Sequence, residues 1–385
     1  MKQKLLALGL AAVAACTIFA APLAISLQST LGEETAVDNV KYFDPMIGSS
    51  LNGKEAPLLD PDSGIYKVAV NYKKYESTYY YEQGKDTYYP KNLTISWESK
   101  ADADYYTFEI SLNRDFTAAQ TYVTFDESVE LPDLFAAKTY YYRVTAHGKT
   151  QTVRSMIFSF KTAALPRTIT VPGVSNTRDI GGYYTLDGKY QVRQGIFYRG
   201  GAITAAGVDT LLNTYGIKTD LDVRGDGSST TNGSPLGEGV NYVECTGPYY
   251  LGDVGINSTN EVYRNALLRE IQTCAVKENY PIYLHCSLGR DRTGTLAFLI
   301  SALLGVGERD LYMDYELSFF SEAGTRDGQT PAYMVGNAFR NMYNYIAKDT
   351  TLTLKENVEN FMLELGVTAE EIASIREILL EEVQQ

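Results

Sequence analysis

The sequence of 385 residues has little of what most metal and redox chemistry needs: two histidines, four cysteines and one tryptophan. Two histidines cannot build a histidine-rich metal centre, and the cysteines show no paired C-x-x-C zinc spacing. Four cysteines in so long a chain also cannot form the dense disulfide framework of small secreted domains. Basic residues number 34 against 47 acidic ones, a net charge of −13, which excludes a general nucleic-acid binder with a basic face. A small, locally positive pocket remains compatible with that balance. Disorder is excluded as well, because 44% of residues are hydrophobic and 21% charged. The length suggests two or three domains with sizeable cores. No internal repeat is visible, and no metal or organic cofactor is implied.

What the chain does have starts at the N-terminus. Lys2 and Lys4 precede an uncharged stretch, residues 5–27, and the first acidic residue is Glu33. A basic start and an apolar run read as an export signal or a retained membrane anchor over residues 1–27. Val13-Ala14-Ala15-Cys16 resembles a bacterial lipobox, which makes Cys16 a lipidation candidate. The residues that follow are more apolar than a usual lipoprotein tether, so cleavage near Ala24 or Ser26 stays open beside it. Each version predicts an exported protein, extracellular or at the cell surface, with membrane attachment through its N-terminus as one alternative. Residues 28–61 lack sustained periodicity and read as a linker.

Residues 62–163 change character. Apolar residues alternate in 93–97, 105–112, 139–145 and 157–161, with turn residues between the runs. Period-two alternation in short runs predicts antiparallel β-structure, and many of the 31 tyrosines fall in or just before these strands. The order Leu93-Thr94-Ile95-Ser96-Trp97, Tyr105-Tyr106-Thr107-Phe108, Leu131-Pro132-Asp133-Leu134, Tyr140-Tyr141-Tyr142-Arg143-Val144 and Ser159-Phe160-Lys161-Thr162 resembles a fibronectin type III module. The resemblance implies an all-β sandwich used for spacing or adhesion, with cell-surface or extracellular ligands as partners. His147, in Ala146-His147-Gly148, reads as a solvated turn residue.

Beyond a linker-like Ala163-Ala164-Leu165-Pro166, strands alternate with helices over residues 164–385. Strands are expected at 196–199, 218–223, 241–245 and 281–285, and helices at 205–215, 262–276, 293–304 and 358–383. That alternation predicts an α/β domain with a central sheet flanked by helices, so the chain is expected to be multidomain.

One segment carries chemistry: His285-Cys286-Ser287-Leu288-Gly289-Arg290-Asp291-Arg292-Thr293-Gly294. An apolar strand ends at a cysteine, a short loop with one glycine follows, and an arginine opens a helix. Successive backbone N–H groups in such a loop, Ser287 to Arg292, can curve into an anion-binding nest, and the helix N-terminus adds positive potential. A cysteine there is set up to act as a thiolate nucleophile. The planar fork of Arg292 suits two oxygens of a phosphoryl group. Sulfur transfer by a rhodanese-like loop is a rival reading, but the Arg292-Thr293-Gly294 ending favours phosphate.

The Cys-x5-Arg-Thr spacing is the signature of cysteine-dependent phosphatases. Ser175-Asn176-Thr177-Arg178-Asp179-Ile180-Gly181-Gly182-Tyr183, Gly195-Ile196-Phe197-Tyr198-Arg199-Gly200-Gly201, Asp220-Leu221-Asp222-Val223-Arg224 and Asp314-Tyr315-Glu316-Leu317-Ser318 resemble the other motifs of the bacterial tyrosine phosphatase family that includes secreted mycobacterial and listerial enzymes. The resemblance implies Cys286 as nucleophile, Arg292 as phosphate clamp, His285 as orienter of the loop and Thr293 as a hydrogen-bond donor to the sulfur. Asp291 is the favoured general acid; Asp253, in the loop after the 241–245 strand, is the alternative, and Asp222 is read as structural beside Arg224. Arg290 stands where the family has lysine, either as a solvent-facing charge or as the positive charge that in relatives goes with phosphoinositide as well as phosphotyrosine hydrolysis. Arg178 and Arg199 are expected to line the pocket or to pair with Asp179, the second being preferred. A Cys245–Cys286 disulfide is an alternative to free thiols at 245 and 274. The implied substrate is a phosphorylated protein, with phosphoinositide or inositol polyphosphate as the rival. A non-enzyme rival is an adhesion protein with a vestigial phosphate-binding domain.

Overall fold

The structure is a computed structural model that describes residues 55–56, 92–163, 167–225, 233–321 and 333–383. The leader, Cys16 and most of the 28–61 linker lie outside the described residues. The chain forms two compact units, one holding residues 96–129 and 141–158, the other 130–140 and 159–385.

The strands run in chain order β1 (Glu55–Ala56), β2 (Leu93–Ser96), β3 (Tyr105–Ser111), β4 (Gln120–Thr124), β5 (Ser128–Leu131), β6 (Thr139–His147), β7 (Thr152–Arg154) and β8 (Phe158–Thr162). In the first unit β3 pairs antiparallel with β4 and with β6, and β6 with β7. Alternation works here as expected: Tyr106, Phe108 and Ile110 of β3 are buried on one face. Phe108 stacks on Trp97 at 6.0 Å and on Tyr142 at 5.4 Å, and Tyr142 on Phe158 at 5.3 Å. His147 is not a solvated turn residue. It closes β6, stacks on Tyr105 at 4.5 Å and meets Thr107 Oγ1 at 2.9 Å.

In the second unit, β9 (Arg178–Asp179), β10 (Tyr190–Val192), β11 (Phe197–Gly200), β12 (Thr219–Asp222), β13 (Asn241–Glu244) and β14 (Ile282–His285) follow. Five of them form a sheet in the order β13-β12-β14-β11-β9, parallel except for β9. Every residue of β11, β12 and β14 is buried, as a parallel sheet covered on both faces requires. The chain leaves β11 for β12 and β13, then returns to insert β14 between β12 and β11. Such a reversal of strand order opens a crevice at the carboxyl ends of the strands, and Cys286 follows β14 at that point.

Helix α1 (Glu261–Cys274) precedes β14, and α2 (Arg292–Leu303) leaves the loop after it. From Thr293 to Leu303 every residue of α2 is buried, so this helix is apolar all round and sits inside the domain. Then come α3 (Glu308–Glu316) and α4 (Arg340–Ile346). The helical spacing over 358–383 belongs to two helices, followed by a strand: α5 (Leu354–Leu365), α6 (Ala369–Leu379) and β15 (Leu380–Glu382). Gly366 at φ 111° ends α5, and Thr368 with Glu371 forms a capping box that starts α6. Apolar periodicity carries through both helices, which hid the break. Strand β15 then pairs antiparallel with β10.

Candidate active site

The loop after β14 is shaped from outside. The Ser287 carbonyl accepts from Ala202 N (3.2 Å), the Leu288 carbonyl from Asn176 Nδ2 (3.0 Å) and the Gly289 carbonyl from Arg199 Nη2 (2.7 Å). In a trans peptide the C=O and the next N–H point in opposite directions. Three outward carbonyls therefore turn the N–H groups of Leu288, Gly289 and Arg290 inward, which makes the nest. Gly289 sits at φ 68°, and a Cβ there would lie 2.3 Å from the Gly200 carbonyl, so only glycine fits.

The two motifs at 175–183 and 195–201 turn out to be the scaffold of this loop. Asp314 on α3 binds Arg178 Nε at 2.7 Å and Arg199 Nη1 at 2.5 Å. Arg199 passes on to the Gly289 carbonyl; Arg178 Nη1 donates to Asn176 Oδ1 (2.6 Å), whose amide holds Leu288. Burial works against the Asp314 charge, but the two guanidinium groups outweigh it and hold its carboxyl below the ordinary aspartate value. The expected pairing with Asp179 is not what forms. Asp179 is taken by Arg167 and by the backbone N–H groups of Gly181 and Gly195. The partner, 136 residues downstream of Arg178, is brought in by the packing of α3.

His285 is fully buried in β14. Its Nε2 donates to Asp220 Oδ1 at 2.8 Å, since a carboxylate can only accept, and Nδ1 lies 3.4 Å from the Cys286 carbonyl. Burial opposes a charge on the ring, yet the bond to Asp220 outweighs it and raises the His285 pKa. A raised folded pKa means that this pair stabilises the fold fully below the unfolded value of about 6.5 and less as pH climbs through the higher folded value. Thermal melting of wild type and His285→Gln should therefore show the largest gap near pH 6 and a narrowing gap toward pH 9; a constant gap would deny the linkage.

Asp291 accepts from Tyr250 Oη (2.5 Å) and from Arg290 Nε (2.9 Å). Tyr250 in turn shares a hydrogen bond with Tyr315. Arg290 is not the solvent-facing charge of the first alternative: it is buried, pairs with Asp291 and lies over the Phe319 ring at 5.8 Å. Asp253 is exposed, held through its backbone carbonyl by Ser258 Oγ at 2.6 Å. Arg292 Nη1 donates to the Arg224 carbonyl, and its guanidinium lies over the Tyr249 ring at 4.5 Å. Arg224 grips Asp222 through Nε and Nη2, at 2.6 Å for the latter. Thr293 is fully buried, and its hydroxyl makes no hydrogen bond. Tyr249 and Tyr250, in the segment after β13, thus touch Arg292 and Asp291. Only the loop's return path reveals that.

Cys245, Cys274 and Cys286 are free thiols. Glu244 and His285 both lie beside Asp222, on opposite sides of β12. The next residues, Cys245 and Cys286, are two strand spacings apart, about 9–10 Å. A disulfide needs Cα atoms within about 7 Å, so this pair cannot close without moving the sheet. Burial pushes the Cys245 thiol up to about 12 and the Cys274 thiol higher still, which keeps both inert. Among the described residues no group of three or more His, Cys, Asp and Glu is placed to hold a metal ion, and no helix is long and apolar enough to cross a membrane.

The sequence model of the tyrosine phosphatase family matches residues 169–381. A Cupriavidus necator protein that carries the name tyrosine-protein phosphatase is 29% identical over 165 residues, 37% of this chain and 59% of that protein. The chain thus spans about three fifths of that relative's length. Among solved structures, the core catalytic domain of the PP-IP phosphatase SIW14 from S. cerevisiae, in complex with citrate, aligns with 40% of this chain and 88% of its own. That alignment has 17% identity and a TM-score of 0.27, too low to speak for fold or substrate.

Proposed function

Starting from the tyrosine phosphatase family, to which this chain belongs, we propose that it hydrolyses phosphate monoesters, protein phosphotyrosine first, through a cysteinyl-phosphate. The carrying observation is the loop itself, with three carbonyls tied outward around Cys286 and Arg292 at the helix start. The phosphoryl oxygens sit on the inward N–H groups and the Arg292 fork. Cys286 Sγ forms the S–P bond as the P–O bond to the leaving group breaks, and Asp291 gives that oxygen its proton. Water then attacks phosphorus, returns a proton to Asp291 and releases the thiolate and inorganic phosphate.

Purified protein should cleave an aryl phosphate in the presence of a chelator. Asp291→Asn should lose about 10²–10⁴-fold in kcat on an alkyl phosphate and far less on a good leaving group; Asp253→Asn should lose little on either. The reverse pattern would move the acid to Asp253. Because Arg290 is engaged with Asp291 and Phe319, it is not presented to a second phosphate, which favours phosphotyrosine over inositol polyphosphates. A panel of phosphotyrosine peptides, phosphoinositides and phytate decides the substrate.

Residues 62–163 serve in this reading as a fibronectin type III-like spacer, supported by the antiparallel β3, β4, β6 and β7 and the ladder of Trp97, Phe108 and Tyr142. In this reading the enzyme works outside the cytoplasmic membrane, which the basic start and apolar run of residues 1–27 support. Fatty-acid labelling that disappears in Cys16→Ser would establish a lipid anchor, and absence of label would remove it.

A further inference from the structure

One ionisable group is buried beside the site and has no part in the reaction above. Glu270 on α1 is fully buried, and neither of its carboxyl oxygens has a hydrogen-bond partner. A carboxyl held that way is costly, and such groups concentrate where they serve a reaction. Its seat is specific. A Cβ on Gly247 would lie 2.9 Å from Glu270 Oε1 and 2.9 Å from Val223 Cβ, so the glycine makes room for the carboxyl. Gly247 N donates to the Val223 carbonyl at 3.2 Å. The next residue, Arg224, accepts from Arg292 Nη1, and Tyr249, two residues past Gly247, covers the same guanidinium. Glu270 therefore stands behind the wall that holds the phosphate-gripping arginine. The titratable and charged groups facing it are Arg292 from α2, Cys245 from the end of β13 and Cys274 from its own helix.

We propose that Glu270 is a positioning residue for Arg292, and that its carboxyl takes up a proton from solvent when an oxyanion enters the loop. The proposal rests on the reading of the loop as a phosphoryl site. Arg292 is the cation that acts on the Glu270 carboxyl. An arriving dianion claims that cation and adds like charge, so the carboxylate loses its support and binds a proton. Burial already pushes the Glu270 carboxyl up to about 8, with Arg292 pulling the other way, so it is about half ionised near pH 8 and neutral at pH 6.

The test uses the full chain carrying Cys286→Ser, in which the nucleophile's thiol exchanges no proton. Tungstate, a dianion at both pH values, is titrated calorimetrically in buffers of different ionisation enthalpy, which counts protons. The expected result is about half a proton more per bound tungstate at pH 8 than at pH 6. Adding Glu270→Gln should abolish that excess. Equal counts at the two pH values overturn the proposal without any substitution at 270, and so does an excess that survives in folded Glu270→Gln protein. Failure of the parent protein to bind tungstate would overturn the phosphoryl-site reading itself.

Discussion

Cys286→Ser should hydrolyse aryl phosphates about 10⁴-fold more slowly than wild type, or worse, while still folding and still binding oxyanions. The side chain follows the central, fully buried strand β14, and serine is close in size, so the loop and its three outer tethers persist. What is lost is the nucleophile, because a serine hydroxyl does not ionise near neutrality. Cys245→Ser and Cys274→Ser provide the contrast. Both thiols are kept protonated by burial, and Cys245 is two strands from the loop, so kcat should stay within a few-fold of wild type, about threefold at most. Steady-state and single-turnover kinetics on the three variants check this. A Cys286→Ser protein with full turnover would end the cysteinyl-phosphate route.

Asp314→Asn should be the most destabilising conservative change in the catalytic unit. One carboxylate serves two arginines, and both Arg178 and Arg199 side chains are almost wholly buried, at 1% and 0% exposure. Removing a shared counter-charge from buried cations costs about 3–5 kcal/mol. For a domain of this size that amounts to a fall in Tm of roughly 6–20 °C. Activity at a temperature where the variant is folded should fall as well, since Arg199 holds Gly289 and Arg178 holds Asn176, which holds Leu288. Because the Asp314 carboxyl is held below its ordinary value, its stabilisation is complete above about pH 4 and disappears as pH falls through the folded value. The Tm gap between wild type and Asp314→Asn should therefore shrink at acid pH. A Tm within about 2 °C of wild type at pH 7 would refute the double-pairing account.

The 358–383 segment shows where sequence reading stops short. Apolar spacing there was legible, and Gly366 and the Thr368 and Glu371 cap were present to be read, but both helices bury the same kind of face. The periodicity runs on while the chain turns. His147 misleads for a different reason: a Gly-Lys pair after it signals a turn, whereas its place in β6 depends on Tyr105 across the strand pair.

The loop that holds Cys286, Arg292 and the glycine at its crowded bend was set out by sequence alone. They lie within seven residues on one strand–loop–helix unit, and local geometry follows from local order. Strands β11 to β14 around them were legible as short runs that alternate with helical segments, although β12 and β13 carry charged residues. The tertiary structure decided everything that depends on residues far apart in the chain. Asp314, not Asp179, receives the two arginines because α3 packs behind the loop. Tyr250 reaches Asp291 because the segment after β13 folds back over the crevice. Cys245 is kept from Cys286 by the strand between them, and the Glu270 carboxyl of α1 lies in the space that Gly247 leaves beside Val223. A linear pattern records which side chains are present, but contact energies across the fold choose their partners.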